Sequence, residues 1–155
     1  MKIEVDPSQS RQEDINAGAP ENTVPQGFVA YTSPSPFVSH LGAMYQRDGD
    51  AGTIIIGLRI GNEHINLHRN AHGGMLSALI DNALGFNVSR AWQQPVVTAH
   101  LSIDYFEPVQ FGDWIEAHVA IRKLGGRMCF ADCSLMVGTR TVVRGSGILS
   151  LIKRS

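Results

Sequence analysis

Cysteine is scarce: two occur in 155 residues, Cys129 and Cys133, both in an apolar stretch. That usage suits free buried thiols in a reducing compartment rather than a disulfide framework. Charge imbalance is also lacking. Thirteen basic and 14 acidic residues leave a formal net charge of −1, which gives no sign of a nucleic-acid-binding surface. No apolar run is long and uninterrupted enough to span a bilayer, so no membrane partner is expected. Residues 1–14 contain no apolar core of the kind a secretory signal needs, and a cytoplasmic location is the expectation. What is present is ordinary for a folded protein: 43% hydrophobic and 17% charged residues, at a length that suits one domain with a real core.

Residues 1–26 are polar and rich in Asn, Gln, Pro and Glu, and they read as a tail or a surface-draped arm. The folded domain is expected over 27–155. Residues 37–42 form a candidate helical turn closed by Gly42. Two strands follow, 43–47 and 52–60, around the turn Asp48-Gly49-Asp50-Ala51. An Asn- and His-rich loop over 63–71 leads into a helix from about Gly73 to Arg90, and Pro95 ends any continuation. Four more strand-like runs occupy 96–106, 114–124, 128–137 and 141–152, divided by turn signals. In the first of these, alternation puts Leu101, Ile103 and Tyr105 on one face and Thr98, His100, Ser102 and Asp104 on the other. Two strands, one long helix and four strands, with no βαβ rhythm, predict an antiparallel sheet of five to six strands curled around a single helix, an α+β fold.

The helix carries the chemistry. His72-Gly73-Gly74 opens it, and Asp81 lies inside a stretch apolar enough to predict a central, buried helix. A carboxylate there is costly to desolvate unless paired, hydrogen-bonded or put to use. Glycines at a helix start let a ligand approach backbone N–H groups closely, where the helix dipole favours negative charge. On a helical wheel Gly74, Ser77, Ala78, Asp81 and Gly85 fall on one stripe, while Met75, Leu76, Leu79, Ile80, Ala83 and Phe86 cover the other sides. The stripe of small residues invites a partner's backbone. Gly74 and Asp81 are about 10 Å apart along the axis, too far to grip one reacting carbonyl. If both act on one substrate, they come most simply from two chains related by a two-fold axis. The bland alternative is that Asp81 only satisfies a nearby hydrogen-bonding group in a core.

The chain resembles the hotdog-fold acyl-CoA thioesterases. The matching pattern is Asn66, then His72-Gly73-Gly74 six residues on, then Asp81. Downstream, Leu101-Ser102-Ile103-Asp104-Tyr105-Phe106-Glu107-Pro108 with Gly112-Asp113 looks like the family's strand, proline turn and next strand start. Residues 121–127 look like its basic turn. The resemblance covers about 37–152 and implies a hydrolase that cleaves an acyl-CoA thioester to acid and CoA, without a cofactor or metal, as a homodimer or homotetramer with active sites at the interface. It implies that Asp81 is the general base or, less often, the nucleophile. Gly73 N–H is the oxyanion donor, with Asn66 beside it. His72 orders that corner, and Thr98 stands where related enzymes often position water with a serine.

Two departures stand out: Thr98 itself, and Arg69, which occupies a loop position where relatives frequently carry glycine. If that position requires positive φ, the loop here must be built differently. Gly74, Arg90, Lys123 and Arg127 are candidates for meeting CoA, the three cations through its phosphates. His64, His68 and His72 recur every four residues, but glycine- and Asn-rich surroundings make that spacing a loop pattern rather than a metal set. Trp92 and Trp114 read as packing residues. Two other functions are weighed against this reading: a non-catalytic domain that binds an acyl-CoA or lipid, which would release no CoA, and an enoyl-CoA hydratase, which would hydrate its substrate. The hydratase is expected to pair a histidine with its acid in a differently spaced motif that this chain lacks.

Overall fold

The computed structural model describes residues 23–152. The expected tail, 1–26, therefore lies outside the described residues except for its last four. Of these, Thr23 accepts a hydrogen bond through its carbonyl from Arg59 (2.6 Å).

The chain runs through β1 (Val29–Tyr31), a one-turn helix α1 (Pro36–Ser39), β2 (Met44–Asp48), β3 (Ile54–Arg59), the long helix α2 (Gly73–Trp92), β4 (Val96–Tyr105), β5 (Trp114–Leu124), β6 (Met128–Val137) and β7 (Arg140–Leu151). All strand pairs are antiparallel, in one seven-stranded sheet of order β1-β2-β3-β5-β6-β7-β4. The expected α+β architecture is the observed one. The additional strand is β1, whose three residues are too short to display an alternation. Gly42 has φ of +81°, the left-handed conformation expected where the turn after α1 closes.

Helix α2 lies across the concave face of the sheet, packing on β3 to β7. Met75, Leu76, Leu79, Ile80, Ala83, Leu84 and Val88 are buried between helix and sheet. The helix comes close because β7 gives way beneath it. A Cβ at Gly145 would stand 2.7 Å from Ile80 Cγ2, and one at Gly147 2.8 Å from Leu84 Cδ1. One polar side chain is built into this core. Asn87 accepts from Ile54 N–H (2.7 Å) and donates to the carbonyls of Ile54 and Ala83 (3.0 Å each), so its burial leaves no orphan amide. The helix ends at Gln93, which takes φ of +57° and returns its N–H to Arg90 and Ser89.

The opposite stripe of α2 is open. Gly74 and Asp81 are exposed, and Ser77, Ala78 and Gly85 are half-buried. The wheel placed these residues correctly, but the expectation of a buried carboxylate does not hold within one chain. Asp81 is solvated because the helix rests on a sheet rather than inside a closed barrel.

Cys129 and Cys133 are buried free thiols on the inner face of β6. Burial pushes both up, Cys133 to about 12. On the outer face Asp132 takes Arg122 Nε (2.8 Å) and Ser146 Oγ (2.8 Å), with Arg144 nearby. Burial raises its pKa, but these partners outweigh that and leave it lowered. No described helix is long and apolar enough to cross a membrane.

Candidate active site

The loop before α2 is tied down by two side chains. His64 is buried, with Nδ1 accepting from Gly61 N–H (2.8 Å) and Nε2 bonded to the Leu41 carbonyl (2.8 Å). Its own carbonyl takes the N–H of His72 (2.7 Å), so His64 fixes where the helix begins. Asn66 Oδ1 gathers the N–H groups of His68 (2.9 Å) and Asn70 (3.3 Å), which leaves only the amide nitrogen of Asn66 to donate elsewhere.

Arg69 sits in this loop at φ of +61°. Arg69 adopts the left-handed conformation itself, at a cost on the order of 1 kcal/mol. Its N–H reaches the Asn66 carbonyl (3.0 Å), and its guanidinium lies over the Phe111 ring at 5.3 Å. These contacts hold a conformation that glycine would take freely.

His72 is the N-cap of α2, and its Nδ1 accepts the N–H of Gly74 (2.9 Å). That bond consumes the Gly74 donor. Gly73 N–H meets no acceptor among the described residues and lies at the positive end of the helix dipole. Tyr105, at the end of β4, closes over this corner. Its hydroxyl donates to the Gly73 carbonyl (2.9 Å) and lies 2.6 Å from Ser77 Oγ, and its ring packs on Gly73. No sequence pattern signals this clasp: Ser77 and Tyr105 are 28 residues apart, and Tyr105 reads as one more alternating apolar position.

Two turns further along α2, Thr98 Oγ1 donates to Asp81 Oδ1 at 2.6 Å. The pairing places Thr98 on the helix side of the sheet, contrary to the alternation that grouped it with His100. The register explains the difference. Thr98 faces Leu149 and His100 faces Ile148, so Ala99 is an unpaired bulge between them. One inserted residue turns Thr98 toward the helix while His100 stays on the outer face.

Asp81 and Thr98 form part of the wall of a groove of about 570 Å³ between α1, α2 and the start of β4. Gly73, His72 and Asn66 do not line it. Helix α2 is unbroken from Gly73 to Asp81, eight residues or about 12 Å along its axis, so within one chain the two groups stand apart. Arg90, Lys123 and Arg127 are exposed. They share one end of the molecule, because Trp92 Nε1 donates to the Gly125 carbonyl (3.2 Å) and seats the β5–β6 turn against the end of α2. Among the described residues no group of three potential ligands could hold a metal ion.

Comparison with known proteins is consistent with this arrangement. The thioesterase superfamily profile matches residues 68–143. A Pseudomonas aeruginosa protein provisionally named an esterase is 39% identical over 130 residues, 83% of this chain and 97% of its own length. Among solved structures, a Thermus thermophilus protein superposes with a TM-score of 0.70 at 26% identity, covering 77% of this chain and all of its own. The PaaI protein of the Escherichia coli phenylacetic acid degradation operon has the same fold, with a TM-score of 0.71 at 22% identity over 79% of this chain and 88% of its own. The chain belongs to the thioesterase superfamily and is a thioester hydrolase built on the hotdog fold.

Proposed function

We propose that the protein hydrolyses an acyl-CoA thioester to a free acid and CoA, in a site shared between two copies of the chain. Gly73 N–H, with the amide of Asn66, stabilises the charge that develops on the carbonyl oxygen as water adds to the carbon. Asp81 of the other copy takes the proton from that water, and Thr98 orients the carboxylate by donating to one of its oxygens. Collapse of the adduct breaks the C–S bond, and the proton held by Asp81 passes to the departing CoA sulfur. Arg90, Lys123 and Arg127 meet the phosphates of CoA as it lies across the surface. The compartment is the cytoplasm.

The observation that carries the reading is the 2.6 Å bond from Thr98 to Asp81 on an open helix face, beside a groove. An acid tied to one hydroxyl keeps its second oxygen free for water. Two features favour the shared site. One is the distance of about 12 Å from Gly73 to Asp81. The other is β4, which ends the sheet with ten residues of edge, a row of backbone groups suited to a second copy. The test is Asp81→Asn assayed for CoA release on a panel of acyl-CoA thioesters. Loss of a general base predicts a fall of about 10²–10⁴-fold. Activity within a few-fold of the parent would remove Asp81 from the mechanism, and binding without CoA release by the parent would make the protein a carrier.

A further inference from the structure

We propose that the groove beside Asp81 and Thr98 holds the acyl group as an uncharged chain or ring, and that Gly85 sets how far it extends. The inference rests on the acyl-CoA reading above. Asp81 and Thr98 belong to the groove wall, so on the Asp81 side of the shared site a carbonyl attacked by water held there can send its carbon chain into the groove. Burial of apolar surface favours the groove. Its floor is the open stripe of α2, at Ala78 and Gly85, and its sides include Val96 and the rings of Tyr31 and Phe86, which meet edge to face at 5.3 Å. Phe37 of α1 stands at the rim, 63% exposed.

Charge narrows the class. Among this chain's described residues Asp81 is the only charged one that lines the groove; no described lysine or arginine does. An acyl group ending in a carboxylate would lose water there without a cation to replace it and would share the space with a second carboxylate, which is unfavourable on both counts.

Gly85 supplies the length limit. It lies one helical turn beyond Asp81, about 6 Å along the axis. A glycine inside a helix is unfavourable relative to alanine, and packing within the chain does not demand this one. Where Gly145 and Gly147 are forced by the helix above them, a Cβ at Gly85 would meet nothing within 4 Å. The space it leaves open is groove.

The experiment compares the parent protein with Gly85→Leu on butanoyl-, dodecanoyl- and succinyl-CoA. Leucine is a strong helix former, so the variant should melt no lower than the parent; Gly85→Ala is the milder companion. The parent should favour butanoyl- over succinyl-CoA by at least about tenfold in kcat/KM. Gly85→Leu should lose about tenfold or more on dodecanoyl-CoA while staying within about threefold on butanoyl-CoA. Gly85→Ala should shift the same ratio less. Equal loss at both lengths, no loss at either, or a parent that takes succinyl-CoA as readily as butanoyl-CoA would overturn the inference while leaving thioester hydrolysis intact. A parent inactive on every acyl-CoA would overturn the proposed substrate and this inference with it.

Discussion

Thr98 reaches Asp81 because Ala99 drops out of the β4–β7 ladder. Without the bulge the same residue would face solvent on the outer side of the sheet, and the spacing between acid and hydroxyl would mean nothing. Its contribution is a hydrogen bond to a charged group, worth about 1.5–3 kcal/mol when well placed. Thr98→Val keeps the shape and deletes the donor, so kcat should fall roughly ten- to hundred-fold. Thr98→Ser should restore most of it, because only the hydroxyl is required. Steady-state kinetics on the two variants checks this, and equal activity of Val and Ser would remove the hydroxyl from the site. Asp81, Gly73, Asn66 and Thr98 were singled out through the resemblance, and of these the structure joins Thr98 to Asp81 by a hydrogen bond. The side on which Thr98 faces was not legible, because a bulge has no obligatory sequence signature. Likewise His72 was legible as a residue that orders the corner, but its capture of the Gly74 N–H depends on a ring orientation that no spacing encodes.

The long helix was the most legible element. Its apolar positions repeat with helical period, and every residue assigned to the sides facing the sheet is buried or half-buried. What the pattern hid was the other half of the contact. Gly145 and Gly147 look like flaws in a strand, yet they are where Ile80 and Leu84 enter the sheet. Gly145→Ala would press a methyl group against the branched side chain of Ile80, whose Cγ2 has little freedom to retreat. Overpacking of this kind costs about 1–3 kcal/mol. The urea midpoint should fall accordingly, and an unchanged midpoint would mean that the helix can ride outward freely. Any outward shift of the helix would also tilt Asp81 relative to Thr98, so kcat should fall as well. Strand β1 was the least legible element: three residues, Val29–Tyr31, are held in the sheet by the pairing of β2 rather than by their own pattern.

At the scale of the whole molecule, one chain carries both halves of the proposed hydrolytic site but keeps them apart. Gly73 N–H opens at one end of α2, clasped by Tyr105 and capped by His72. Asp81 and Thr98 stand two turns away beside the groove. The separation was legible from helix geometry alone. The openness of Asp81 was not, since an apolar sequence does not reveal how much of a helix its sheet will cover.

Two inactive variants can decide whether two chains share the site. Asp81→Asn removes the base. Gly73→Pro removes the oxyanion N–H at the first residue of the helix, where proline fits; its Cβ would be in van der Waals contact with Tyr105, 3.4 Å from Cζ, and His72 before it has the extended φ of −65° and ψ of 132° that a following proline requires. Co-expressed in equal amounts, half of randomly paired dimers contain one of each, and each mixed dimer rebuilds one intact site from Gly73 of one chain and Asp81 of the other. The shared site predicts recovery of about one quarter of parental kcat from two inactive proteins. No recovery, with mixed dimers verified by mass, would contradict it and place the whole reaction within a single chain.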